Sequence, residues 1–136
     1  GKKMISKVVY EGELRTEAVH ISSGNIIVTD APKDNQGKGE AFSPTDLVAT
    51  ALAGCILTIM GIIAKRSNQN LNGTYAEVEK RMGSEPRSIS EIKVTIFFNK
   101  KILKKERAKF ERAAKACPVS LSLHPDLVKV INFIYL

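Results

Sequence analysis

The chain has 136 residues, enough for one domain that buries roughly two-thirds of its unfolded surface. Hydrophobic residues at 43% and charged residues at 26% exclude a disordered chain; 6% aromatics without Trp leave little for base stacking, and two cysteines exclude a disulfide-built scaffold. The net charge of +7 is local, because residues 100–115 alone carry eight basic and two acidic side chains.

From Gly1 to Lys7 there is charge but no apolar stretch of the secretion-signal type, so a reducing cytosol is the expected compartment. Met4 to Tyr10 reads as a strand on its β-branched and aromatic residues, and Glu11-Gly12 as a turn. Leu14 to His20 alternates with period two, Ser22 to Asn25 is a second turn, and Ile26 to Thr29 a third strand, which makes a three-stranded meander. Asp30 to Phe42, with its Pro, Asp, Asn and Gly residues, reads as a long loop of the kind that carries function.

Ser43-Pro44-Thr45-Asp46 carries three helix-start signals: an N-cap hydroxyl, Pro at the first helical position and a carboxylate at the third. No residue from Leu47 to Ala64 is charged, and Lys65 and Arg66 follow where the helix dipole favours cations. A helix apolar all round belongs in a domain centre or a bilayer. Its small residues and its β-rich flanks favour a central helix covered by sheet.

Asn72 to Met82 and Ile89 to Asn99 read as strands around a loop at Gly83 to Ser88. Lys100 to Ala116 reads as a second helix, with Leu103, Phe110, Ala113, Ala114 and Cys117 on its apolar side and Pro118 ending it. Ser120 to Pro125 is a short irregular or helical piece, and Leu127 to Leu136 a last strand. The order β-β-β-α-β-β-α-β indicates an α+β fold in one domain over residues 1–136.

Cys55 lies inside the apolar helix, where a thiol can be simple packing. Cys117 is either the last residue of an apolar helix face or the start of a new short helix with Pro118 at its first position, and the second lowers a thiol pKa. Two thiols that meet in space can run a redox cycle through a sulfenic acid and a disulfide. The attacking thiol needs a cation nearby, and Arg15 on the second strand is the candidate, although a strand arginine can equally face solvent. His20 and His124 have no metal-ligand spacing with the cysteines, and no metal is expected. The basic segment 100–115 reads as a solvated face, its rival a docking surface for an acidic partner or nucleic acid.

The stretch Phe42 to Cys55, FSPTDLVATALAGC, taken with Ala116-Cys117-Pro118-Val119-Ser120, resembles the OsmC/Ohr family of osmotically induced and organic hydroperoxide resistance proteins. The strand and helix order extends the likeness over nearly the whole chain. The resemblance implies a homodimer with intertwined strands around a long buried central helix. It implies reduction of organic, fatty hydroperoxides, with Cys55 as the peroxidatic and Cys117 as the resolving cysteine, Arg15 beside the thiolate and an external dithiol, of lipoyl type, as reductant. No bound cofactor, nucleic acid or membrane partner belongs to that expectation. Where the Ohr branch has a glutamate ten positions before the cysteine, this chain has Thr45; Asp46 suits a helix cap, and Glu40 becomes the candidate partner of Arg15. The OsmC-like branch is therefore the expected one. The alternatives are a binding domain built on the basic segment and a carrier of thiol or sulfur groups on the same fold.

Overall fold

The computed structural model describes residues 3–136; Gly1 and Lys2, where the leader reading starts, lie outside the described residues. The chain forms two compact units, residues 1–47 and 48–136.

The first unit is a three-stranded antiparallel sheet in the order β1 (Ser6–Gly12), β2 (Arg15–His20), β3 (Ile26–Asp30). The predicted meander is present. Strand β3 runs one residue further than the sequence suggests, because Asp30 pairs with Arg15 in the β2–β3 register. The loop that follows is not featureless. A single 3-10 turn spans Lys33–Asn35, and the Asp30 N–H donates to the Phe42 carbonyl at 3.0 Å, bringing the end of the loop back to the sheet.

Helix α1 (Pro44–Arg66) starts where its signals place it. The Asp46 N–H donates to the Ser43 Oγ at 3.1 Å, and the Ser43 N–H donates to the Asp46 carboxylate at 3.0 Å. This reciprocal capping box satisfies two N–H groups that would otherwise lack partners. By length and composition α1 could cross a membrane. Its residues Ala49, Leu52, Ala53, Ile56, Met60 and Ala64 instead form one helical stripe buried in the core of the second unit. Val48 and Ile62 stay exposed within this single chain.

The second sheet has the order β4 (Tyr75–Gly83), β5 (Ser88–Phe98), β6 (Val128–Tyr135). Alternate β5 residues Ile92, Val94, Ile96 and Phe98 are fully buried and belong to the same core as the α1 stripe. Strands β4 and β5 are antiparallel, while β6 runs parallel to β5. A parallel neighbour requires a crossover. Residues 99–127 supply it, with α2 (Arg107–Lys115) and α3 (Pro118–Ser122).

The expected helix from Lys100 is shorter than the sequence indicates. It begins at Arg107, after a 3-10 turn at Lys104–Glu106. Asn99 accounts for the delay: its Nδ2 donates to the Asn70 and Asn72 carbonyls at 2.9 and 2.7 Å, and its Oδ1 accepts the Lys101 N–H at 2.9 Å. These bonds hold the backbone in a turn after β5. Ile102 then enters the core and Leu103, expected on the apolar side, is left 49% exposed. Phe110, Ala114 and Cys117 are buried as their spacing predicts.

Candidate functional site

Cys55 sits on α1 next to the buried stripe and is only partly buried. Cys117 is fully buried. Of the two readings open for Cys117, the structure takes the second: it is the N-cap of α3, in extended backbone conformation, with Pro118 at the first helical position. Its Sγ accepts the Ser120 N–H at 3.3 Å. Ser120 is itself buried, and its carbonyl accepts the Lys129 ammonium at 2.9 Å. Lys129 on β6 thus braces the turn that presents the Cys117 sulfur.

The two thiols, 62 positions apart in sequence, lie at one core, near enough for each to bear on the charge state of the other. Burial pushes the Cys117 thiol above its ordinary value of 9.0; the Ser120 N–H pulls it down, and hydrogen bonding and charge interaction with Cys55 raise it again. A buried thiol whose neighbour is a second sulfur therefore stays protonated at neutral pH. Both remain free thiols here. Their proximity follows from packing: Ala53 and Ile56, which flank Cys55 on α1, and Phe110, Ala114 and Cys117 belong to one core.

Arg15 and Glu40 lie in the first unit. The Arg15 guanidinium is clamped by Asp30, with Nε to Oδ1 and Nη2 to Oδ2 both at 2.7 Å, and its Nη2 also reaches the Glu40 carboxylate at 3.2 Å. Asp30 is 1% exposed, and its Oδ2 accepts the Glu40 N–H at 3.1 Å as well. A two-pronged guanidinium–carboxylate pair of this kind fixes orientation as well as charge. Asp30 holds the arginine well above its ordinary range, with Glu40 adding to the effect. In turn the Arg15 hydrogen bonds hold the Asp30 carboxyl below its ordinary 3.8, against the opposing effect of burial. Glu40 is thus a partner of Arg15 as expected, but the main one is Asp30, which sequence reasoning assigned to the loop. The signal was in the hairpin. A turn at Ser22 to Asn25 sets Arg15 opposite Asp30, and opposite charges across a strand pair attract.

Ser120 was the other omission. The Cys-Pro-Val-Ser spacing puts a serine N–H at the third helical position, where an N-cap side chain finds its donor. His20 and His124 are exposed, and among the described residues no group of three His, Cys, Asp or Glu side chains converges as a metal site.

Residues 37–130 match the family described as OsmC-like protein. A crystal structure from Psychrobacter arcticus 273-4, named for an osmotic stress induced and detoxification response, is 50% identical; the match covers 98% of this chain and 97% of that one, with a TM-score of 0.94. An organic hydroperoxide resistance protein OsmC from Legionella pneumophila is 15% identical over 98% of this chain and 97% of its own, with a TM-score of 0.76. One from Elizabethkingia anophelis, with thiocyanate bound, is 12% identical over 99% of both chains, with a TM-score of 0.75. No protein of curated function matches.

Proposed function

The chain belongs to the OsmC-like protein family, and on that premise we propose that it is a thiol-dependent reductase of organic hydroperoxides. The observation that carries this reading is that Cys55 and Cys117, remote in sequence, are packed at one core with Cys117 capping a short helix. Relatives in fold named for organic hydroperoxide resistance support the choice of substrate class.

The Cys55 thiolate attacks the terminal oxygen of the hydroperoxide. An S–O bond forms, the O–O bond breaks, and the alcohol leaves after taking a proton. Cys55 is then a sulfenic acid. The Cys117 sulfur attacks it, an S–S bond forms, and the hydroxyl departs as water with the Cys117 proton. An external dithiol returns both sulfurs to thiols and is itself oxidised to a disulfide. The assignment of roles follows from burial. Cys55 is the residue that retains exposure, whereas Cys117 is enclosed and protonated at the same core. Arg15, held by Asp30 and Glu40, is the cation this reading assigns to thiolate stabilisation.

The same reading includes a cytoplasmic homodimer. Val8, Tyr10 and Ile27 are exposed on one face of the first sheet and Val9 and Ile26 on the other, and uncovered apolar side chains of that kind mark an association site. A second copy is the proposed occupant.

Free thiols titrated before and after one equivalent of cumene hydroperoxide test the cycle. The wild type loses both thiols and gains an intramolecular disulfide. Cys117→Ser stops at a sulfenic acid that dimedone traps on Cys55. Cys55→Ser neither consumes peroxide nor forms the disulfide, and undiminished turnover in that variant would refute the proposal.

A further inference from the structure

The basic segment 100–115 plays no part in the thiol chemistry, and its charges are sorted by exposure. Lys100, Lys101, Lys104, Lys105, Arg112 and Lys115 are exposed, and among the described residues none of them has a carboxylate partner. Both acids of the segment are withdrawn. The Glu106 side chain is 15% exposed and paired with Lys109 at 2.6 Å, and Glu111 accepts the Tyr135 hydroxyl. The exposed charge of the strip is therefore wholly positive, which its sequence, with two interspersed glutamates, disguises. Amid these cations Leu103 leaves half its surface open, because the Asn99 turn directs the chain away from helix there.

We propose that this strip docks the protein on an anionic lipid surface. Five of the six exposed cations are lysines, flexible point charges that suit a fluid array of phosphates better than the fixed carboxylates of a protein interface, where lysine is depleted. Clusters of four to eight such cations are the usual means of binding anionic headgroups. Leu103 separates lipid from nucleic acid. An exposed leucine gains by entering the headgroup–acyl boundary and gains nothing against a phosphodiester backbone. The apolar side of α2 is committed to the core through Phe110 and Ala114, so the contact is peripheral, with charge supplying most of the affinity. The inference does not depend on the proposed thiol cycle, although docking there would place a hydroperoxide reductase at a source of lipid hydroperoxides.

The test is cosedimentation of the full chain with vesicles of phosphatidylcholine alone or with about one-third phosphatidylglycerol. It is run at about 50 and about 300 mM salt, where screening of exposed charges differs strongly. Binding is expected to the anionic vesicles only, and to be lost at the higher salt. Removing two cations in Lys104→Gln/Lys105→Gln should weaken it roughly 25-fold, at about fivefold per cation. These are exposed positions, and an unchanged thermal melt verifies folding. Leu103→Ser should weaken vesicle binding while leaving any retention on duplex DNA unchanged. No sedimentation with anionic vesicles, or equal sedimentation of the double variant, overturns the proposal. So does duplex DNA that displaces the protein from vesicles while Leu103→Ser has no effect on either ligand, which would assign the strip to nucleic acid.

Discussion

Every buried hydrophobic side chain among the described residues lies between Ala49 and Leu127, whereas the buried residues of the first unit are Thr29, Asp30 and Ser43. The two regions are organised by different forces. Residues 48–136 form a core of interleaved aliphatic and aromatic side chains from α1, β5 and the crossover helices. The first sheet exposes its large apolar residues and encloses a charge network instead: Asp30 with Arg15 and the Glu40 backbone, and a Thr16–Thr29 hydroxyl pair across β2 and β3. Apolar burial is undirected and sums over area, so it stabilises without specifying orientation. A carboxylate clamped by a guanidinium has one acceptable geometry. The second unit therefore draws on undirected apolar burial, and the first holds its arginine in one orientation.

Substitutions on the two sides sharpen this contrast. Phe110→Ala, in the middle of the core against Phe98, should cost about 3–5 kcal/mol in denaturant unfolding, the largest effect of the set. A loss below about 1 kcal/mol, the size of an ordinary substitution, would remove the distinction between the units. The first unit should respond to pH where the second does not. Asp30 has a depressed pKa, so its contribution is complete above the ordinary carboxyl value of 3.8 and is lost as pH falls through the lower folded value. Asp30→Asn should flatten that acid limb of the stability profile, and an unchanged limb would show the pair to be idle.

The second unit has its own titration at the other end of the scale. Cys117 is raised above 9.0, so its contribution is complete below that pH and is lost as pH climbs through the folded value. Cys117→Ser should remove this alkaline loss, measured by thermal melts across pH 8 to 11, roughly the range of thiol titration. Ser43→Ala at the α1 cap should cost about 1 kcal/mol, since one N–H loses its acceptor while Asp46 remains. At the small end, Val8→Thr on the exposed face of β1 should stay within about 0.5 kcal/mol at concentrations where the chain is monomeric. A larger effect that grows with protein concentration would assign that face to the interface between copies.

Local signals carried most of the fold. The cap at Ser43, the uncharged run to Ala64, the alternation of β5 and the second turn of the meander each depend on neighbours in sequence, and each stands where periodicity and turn chemistry put it, whereas the first turn falls at Glu13-Leu14, just beyond the expected Glu11-Gly12, which end strand β1. The candidate cysteines were legible too, through their two motifs. The larger losses were non-local. Asn99 shortened the second helix by binding carbonyls 27 and 29 positions away. The parallel pairing of β6 with β5 depends on where the crossover helices return the chain, not on anything written in β6.

The amino-acid order alone determined which segments are strand or helix, which thiols carry motifs and where positive charge accumulates, because propensity, capping and composition are properties of short stretches. Tertiary structure decided which carboxylate holds Arg15, that Cys117 caps a helix beside Cys55, and that both glutamates of the basic strip turn inward. Those outcomes rest on distances between residues remote in sequence and on burial, which sets the charge state of a thiol or carboxylate only once packing has removed the water around it.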